Sequence, residues 1–197
     1  QFKSALEQIG RVRRVTIRFG KYSSRYDDIL AHRHTNIFDC NMASGGLMDM
    51  GVYSVEPMVD LLGVPEAIAF APILIDAQAE DITHGPIDAA GNIMCTYPGA
   101  VATLHYSKFT QDFSPVQIEG ERGTITLDSI SMPSHMRIDM MGVAVRMAAR
   151  TCASSGSTEE MDLPKTDNSM CYELADFIDA VEQAQAGTPT FEATCGA

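Results

Sequence analysis

The feature that most constrains the fold is a succession of short apolar or alternating segments, joined by turn signals, that follows Gly63. Tyr97-Pro98-Gly99 and Glu121-Arg122 are typical of hairpin turns, and consecutive hairpins imply a mostly antiparallel open sheet. The segments predicted as strands are Ala67–Ile75, Gly91–Thr96, Ala100–Lys108, Ser114–Gly120, Gly123–Leu127, Met136–Met141 and, more weakly, Val143–Met147.

Helical and irregular stretches surround this β region. Phe2–Ile9 reads as a short helix, and Arg11–Lys21 alternates apolar and polar residues as a strand does. Tyr22–Ala43 is polar and irregular, so we expect a long loop that forms a lid or pocket wall. Thr151–Thr166 is expected to be a mobile excursion, and Met170–Ala186 a helix. The predicted class is α+β, an open, mostly antiparallel sheet with helices packed on one face.

One further helix is predicted across Ser44–Gly63. Ser44 is a plausible N-cap, and Gly63 supplies the stop signal. Gly45 and Gly46 allow a sharp turn or a close approach to a ligand. Pro57 should kink this helix or break it into two pieces.

Asp49 and Tyr53 are the candidate catalytic residues on this helix. They are four positions apart and therefore project to the same side. Gly51 lies between them, where glycine costs about 1 kcal/mol unless something packs close to it. A structural reading is also open, in which Asp49 complements the helix dipole and Tyr53 lies at the edge of the core.

Three motifs resemble the Gfo/Idh/MocA family of nicotinamide-dependent oxidoreductases. The first is GG-x-x-D-x-G-x-Y running on to L-L-G-x-P, and the others are the hairpin Val116–Leu127 and the helix Tyr172–Val181. The resemblance implies a glyceraldehyde-3-phosphate dehydrogenase-like C-terminal domain, in which Tyr53 transfers a proton and Asp49 orients the substrate or a lysine. Relatives carry histidine or tyrosine at the position of Tyr53.

The same resemblance implies substrate and cofactor. We expect a sugar, polyol or similar diol as substrate, with Arg33, Asn36, Gly45 and Gly46 as candidate contacts; Arg33 and Asn36 rest on their loop position alone. The cofactor would be NAD or NADP. Neither the G-x-G-x-x-G turn nor the Glu-Lys-Pro turn of such enzymes occurs here. Residues 1–197 are therefore expected to form a single C-terminal domain whose N-terminal Rossmann domain is absent, inactive by itself and binding no cofactor.

Two other classes of function stay open. A non-catalytic relative that senses a nucleotide or sugar would share this domain, and a pure dimerisation module would need no ligand. Several methionines lie in or near the late strands, which fits a homodimer or higher oligomer formed through the sheet, although core filling is the commoner use of methionine. These methionines are Met132, Met136, Met140, Met141 and Met147.

Composition limits the partners. A net charge of -12 disfavours nucleic acid and anionic lipid, and no stretch is long and apolar enough to span a membrane. Five cysteines without C-x-x-C spacing fit free thiols in a reducing, cytoplasmic compartment. His32 and His34 could form a metal pair, but no third ligand lies at a recognisable spacing, so no metal is expected.

Overall fold

The computed structural model describes residues 2–142, 155–164, 168 and 170–185. Contacts divide the chain into two compact units, Gln1–Leu163 and Pro164–Ala197. The helices are α1 (Phe2–Ile9), α2 (Ser24–Leu30), α3 (Val52–Leu62), α4 (Glu80–Thr83) and α5 (Met170–Gln185). The strands are β1 (Val12–Gly20), β2 (Ala67–Leu74), β3 (Asp88–Tyr97), β4 (Ala100–Ser107), β5 (Val116–Gly120), β6 (Gly123–Leu127), β7 (His135–Met141) and β8 (Ser155–Asp162).

The first unit is built on one eight-stranded sheet with the order β2-β3-β4-β1-β5-β6-β7-β8. Strands β1 and β4 pair in parallel, and every other neighbouring pair is antiparallel. Both predicted hairpin turns are present, with Gly99 at a φ of 83° that favours glycine. The predicted open, mostly antiparallel sheet of an α+β fold is confirmed.

The core lies on the face of the sheet against which α1 and α3 pack. Alternate strand residues point to it, as the period of two in a strand requires. Buried members from the strands are Val15, Ile17, Ile93, Ala102, Leu104, Val116, Ile118, Ile125 and Ile138, and the helices contribute Ala5, Ile9 and Met58. Thr16, Thr103 and Thr126 alternate with these residues and point to the opposite face, which is only partly exposed.

Two predictions of irregular structure are wrong. Tyr22–Ala43 contains α2 and two one-turn 3₁₀ helices, Asn36–Phe38 and Cys40–Met42. Ile29 and Phe38 from this stretch join a second apolar cluster with Ile75, Ala79, Ile87 and Ala89, which explains why it folds. Within Thr151–Thr166, residues 155–162 form β8, because pairing with β7 satisfies the backbone of an otherwise polar segment.

The methionines divide between core and surface. Met136 is completely buried and Met140 packs against the core, whereas Met132 and Met141 are exposed. Core filling therefore accounts for two of the residues that suggested a sheet interface. Met147 and the weak strand Val143–Met147 lie outside the described residues.

In the second unit, α5 begins where sequence analysis placed the Met170 helix. The backbone N–H of Met170 donates to Oδ1 of Asn168 at 3.1 Å, so Asn168 caps its first turn. Among the described helices, none combines the length and apolarity that crossing a membrane would need.

Candidate active site

The segment that carries Asp49 starts differently from the prediction. A single π-helical stretch, Leu47–Gly51, precedes α3. Ser44 does not cap it, because the Ser44 hydroxyl accepts the Asp39 N–H at 3.1 Å and donates to the Asp39 carbonyl at 2.9 Å. The Leu47 N–H instead donates to Oδ2 of Asp88 in β3, at 2.7 Å. A carboxylate at a helix start satisfies a free backbone donor and complements the helix dipole.

Pro57 neither ends nor divides α3, so of the two predicted outcomes, a kink or a break, the break is wrong. The helix runs from Val52 to Leu62 through Pro57, and the discontinuity falls at its start, between the π-helical and α-helical turns. Gly63 ends it as predicted, at a φ of 78° with its N–H bonded to the carbonyl of Val59.

Gly45 and Gly46 allow this segment to lie directly on the sheet. A Cβ at Gly46 would lie 2.7 Å from the carbonyl carbon of Ala89, and one at Gly45 would lie 2.7 Å from Oδ1 of Asp88. A Cβ at Gly51 would lie 2.6 Å from Cδ1 of Leu47. The contact at Gly46 is with backbone, so close packing against β3 explains this glycine, and the φ of 120° at Gly45 favours glycine there. At Gly51 the contact is with the end of a flexible side chain, which could move aside.

Asp49 forms an ion pair with Lys108, which follows β4. The Lys108 side chain is only 3% exposed, while the Asp49 side chain is 45% exposed. The ammonium also lies 5.7 Å from the centre of the Phe38 ring, a cation–π contact. A buried ammonium costs several kcal/mol unless it is paired, so Lys108 holds the Asp49 carboxylate at one point on the surface.

Tyr53 lies one turn after Asp49 and reaches solvent. Its ring packs on that of Phe19 in β1, with centroids 4.5 Å apart at an interplanar angle of 33°. Tyr53 is 45% exposed, and within the described part of the chain its hydroxyl has no hydrogen-bond partner. The ring is therefore held while the hydroxyl remains available to another molecule.

Asp88 and Tyr106 support this arrangement from the sheet. The Tyr106 hydroxyl donates to Oδ2 of Asp88 at 2.7 Å, the same atom that accepts the Leu47 N–H. Burial raises the pKa of Tyr106 far above its usual range, and the bond to Asp88 raises it further. Tyr106 is therefore a neutral donor that fixes the carboxylate at the start of the helix.

Arg33 and Asn36, the two loop residues predicted to contact substrate, lie in different environments. Arg33 donates to Oδ1 of Asp28 at 2.6 and 3.1 Å and is bound to α2. This pairing holds the pKa of Asp28 below its usual value. Asn36 is exposed at the start of its 3₁₀ turn. Neither residue has a described contact with Asp49 or Tyr53.

A second polar cluster joins this loop to the end of α4. The buried carboxylate of Asp39 meets Nε2 of His34 at 2.8 Å and Nδ1 of His84 at 3.0 Å, and it accepts the Asn41 N–H at 2.9 Å. Hydrogen bonds from the two histidines, and then from Asn41, hold the pKa of Asp39 far below its usual range. His32 is not part of this cluster, since it pairs with Asp81.

Sequence reasoning missed Lys108 and Asp88, although one signal for Lys108 was present. Ala102, Leu104 and Tyr106 occupy the buried positions of β4, and Lys108 continues that alternation. A lysine in register with buried positions needs an anionic partner. Asp88 gave no comparable signal, because its two donors come from Leu47 and Tyr106, which are distant in sequence.

Comparisons with known proteins agree with this architecture. The family model described as the GFO/IDH/MocA C-terminal domain matches residues 4–126. The chain is 31% identical over 183 residues to scyllo-inositol 2-dehydrogenase (NADP(+)) IolU of Bacillus subtilis, covering 93% of this chain and 49% of that protein. It is 26% identical over 183 residues to the oxidoreductase YgjR of Escherichia coli, covering 92% and 49%. The chain thus spans about half the length of these curated relatives.

Solved structures share the fold at lower identity. An aldose-aldose oxidoreductase from Caulobacter crescentus, complexed with glycerol, superimposes with a TM-score of 0.64 at 18% identity, covering 96% of this chain and 49% of that one. KijD10, a 3-ketoreductase from Actinomadura kijaniata in complex with NADP and TDP-benzene, gives a TM-score of 0.64 at 18% identity, covering 93% and 50%. The match to the family model, the relative at 31% identity and the common fold together establish that this chain belongs to the GFO/IDH/MocA C-terminal domain family.

Proposed function

We propose that this chain is the substrate domain of a longer NAD(P)-dependent oxidoreductase that acts on a sugar, polyol or related carbonyl compound. The observation that carries the proposal is the exposed Asp49 carboxylate, fixed by buried Lys108 one helical turn from the free hydroxyl of Tyr53. The relative IolU is named for the oxidation of an inositol with NADP(+), which supports the same class of substrate and makes NADP the first cofactor to test.

Tyr53 would transfer a proton at the substrate oxygen. A tyrosine hydroxyl ordinarily has a pKa near 10, so at neutral pH it is protonated and suited to donate to a carbonyl oxygen during reduction. In the reverse direction, the deprotonated tyrosinate would take up the proton of an alcohol, and a nearby cation would favour that ionised form. Asp49, which accepts hydrogen bonds, would orient the substrate hydroxyls, and Lys108 would fix its carboxylate.

We also propose that the dinucleotide site lies outside this chain. Phosphates of such cofactors bind where a glycine-rich turn joins a parallel strand to a helix. The parallel strands here, β1 and β4, are separated along the chain by β2 and β3, and the glycines at 45 and 46 lie against Asp88 and Ala89. The nicotinamide, which accepts or donates the hydride, would therefore be held by a Rossmann domain elsewhere in the parent protein.

An apolar groove along α3 supports a neighbouring domain. A groove of about 530 Å³ runs between α3 and β2, and it is lined mostly by apolar side chains. Met48, Val52 and Ile68 are between 44% and 64% exposed along it. Apolar surface of this extent is usually covered by another domain or subunit. We propose that the parent's own Rossmann domain covers it.

Arg33 and Asn36 remain proposed substrate contacts from the loop, and Arg33 would exchange Asp28 for a substrate oxygen. We also propose that the parent is cytoplasmic and forms a homodimer or higher oligomer through the sheet. Free Cys40, Cys95 and Cys171 support a reducing compartment.

Fluorescence titration of NADH and NADPH tests whether the cofactor binds to another domain of the parent protein. We expect binding to the full-length parent and none to this chain. If the parent binds neither nucleotide, the oxidoreductase function is excluded and a sugar-sensing or dimerisation role takes its place.

Substitution of Tyr53 tests the chemistry in the parent. Tyr53→Phe keeps the ring on Phe19 and removes the proton, so kcat should fall by about 100-fold or more. Tyr22→Phe is the matched control, because it removes a hydroxyl that donates to Oδ1 of Asp27 at 2.6 Å and not to Asp49, and it should leave kcat unchanged. Equal turnover in the Tyr53→Phe variant and the wild type would remove Tyr53 from the mechanism.

A further inference from the structure

The cluster of His34, Asp39 and His84 combines three donors of the kind that transition metals bind. Imidazole nitrogens and a carboxylate suit zinc and its neighbours in the periodic table, whereas calcium and magnesium favour sites made of oxygen atoms. One ligand atom from each residue can be chosen so that all three lie within 4.8 Å of one another. Sequence reasoning considered only His34 of these three residues, and it paired His34 with His32, which lies outside the cluster. Asp39 lies five positions after His34, and the fold brings His84 to Asp39 across 45 positions.

The spacing of the three donors is close to that of a metal site. Ligands at zinc distances of about 2.1 Å in a tetrahedron lie about 3.4 Å apart. The two contacts with Asp39 measure 2.8 and 3.0 Å, so each imidazole already faces the carboxylate that would share the ion. Both histidine side chains are 47% exposed, which leaves them room to rotate and leaves further coordination positions open to water.

Asp39 is held in place before any ion arrives. Its side chain is 7% exposed, its Oδ1 caps the Cys40–Met42 turn through the Asn41 N–H, and its backbone is bonded in both directions to the Ser44 hydroxyl. Hydrogen bonds of this kind orient metal ligands and raise affinity. The backbone of His84 has a defined position as well, because it ends α4 in the left-handed conformation, at a φ of 57° that non-glycine residues adopt at a cost.

We propose that His34, Asp39 and His84 form a zinc-binding site, with water completing the coordination. The ion would join the loop before Ser44 to the end of α4, two segments that are far apart in sequence. Asp39 directly follows Phe38, whose ring faces the ammonium of Lys108, so the ion would also stabilise one wall around Lys108. The site is independent of the nicotinamide chemistry proposed above, since it contains neither Asp49 nor Tyr53.

Calorimetric titration of ZnCl₂ into the chelator-treated chain tests the site. We expect one ion per chain with a Kd of about 1 μM, weaker than four-ligand structural sites. At about 100 times Kd, zinc should raise the melting temperature by about 5–10 °C. Binding of no ion, or of several ions with similar affinity, would overturn the proposal.

Two histidine variants separate the cluster from adventitious binding. His84→Gln should weaken zinc binding by about 100-fold or more. His32→Gln is the matched control, because His32 also ends a helix in the left-handed conformation and pairs with an aspartate, Asp81, yet lies outside the cluster. Equal losses in both variants would refute the assignment.

The absorption spectrum of bound cobalt reports the ligands of the ion in the wild-type chain, so it does not require a variant to fold. Co²⁺ bound to the wild-type chain should show visible absorption of a site with nitrogen and oxygen ligands, and zinc should displace it. Cys40 lies next to Asp39, and its thiol donates to the carbonyl of Pro86 at 3.2 Å. A thiolate-to-cobalt charge-transfer band that disappears in Cys40→Ser would show that the ion binds at the cysteine and would overturn the proposed ligand set.

Discussion

The Asp88 carboxylate should contribute more to the free energy of unfolding than its half-buried position at the start of β3 suggests. It accepts the Leu47 N–H and the Tyr106 hydroxyl, both at 2.7 Å and both at Oδ2. Asp88→Ala removes the acceptor at the helix start, at a cost of about 1 kcal/mol. It also leaves the Tyr106 hydroxyl, on a residue only 2% exposed, without a partner, at a cost of about 1–3 kcal/mol. We expect a total loss of about 2–4 kcal/mol.

A double-mutant cycle separates the two contributions. Tyr106→Phe alone loses one hydrogen bond and should cost about 1 kcal/mol. In the double variant, Asp88→Ala with Tyr106→Phe, no hydroxyl is stranded, so it should be more stable than Asp88→Ala by about 1 kcal/mol or more.

Urea denaturation of the four chains measures these free energies of unfolding. If the losses of the two single variants simply add in the double variant, Asp88 does not hold the helix start through Tyr106. A cost of Asp88→Ala below about 0.5 kcal/mol, the range of ordinary surface substitutions, would refute the reasoning as well.

Three further outcomes concern other parts of the chain. Gly46→Ala should lower the free energy of unfolding by about 1–3 kcal/mol in urea denaturation, because the new Cβ would lie 2.7 Å from the backbone of Ala89. A neutral result would refute that packing. Met136→Ala, at a completely buried position, should cost about 2–5 kcal/mol, and a cost below 1 kcal/mol would place Met136 outside the core. Hydrogen bonds from Arg137, and then from Thr158, lower the pKa of Asp139, so its carboxylate stabilises the fold above about pH 4 and that stabilisation is lost as the pH falls. The difference in stability between the wild type and Asp139→Asn should therefore be present at pH 7 and absent near pH 2, and a difference independent of pH would contradict this assignment.

The sheet could be predicted from sequence because its signals are local. Alternation and the turns at Pro98-Gly99 and Glu121-Arg122 specify hairpins between neighbouring strands. The position of β1 between β4 and β5 could not be predicted in this way, because that pairing joins segments far apart in sequence. β8 was missed because its residues are polar and show no apolar period, and its main support is the backbone of β7.

In the candidate site, too, only the residues with a local sequence signal could be predicted. Asp49 and Tyr53 are found together because four positions on a helix bring side chains to one face. Lys108, Asp88 and His84 reach the site or its loop only through the fold, so periodicity along one helix cannot find them. Ser44 looked like an N-cap because serine is common there, but tertiary bonds to Asp39 use its hydroxyl instead.

The central position of β1 has a consequence for the order in which the chain can fold. β1 is made before both of its partners, β4 and β5, which follow only after the β2 and β3 segments have been synthesised. During synthesis β1 must therefore wait, with Val15 and Ile17 uncovered, until residues 100–120 have left the ribosome, while β2, β3 and β4 can already form a local meander. Closing so long a loop is entropically costly, and proteins dominated by such contacts fold slowly. Docking of β1 between the β2–β3–β4 meander and the strands that follow it is the expected late step of folding. Before that step, the nascent chain most needs protection from aggregation.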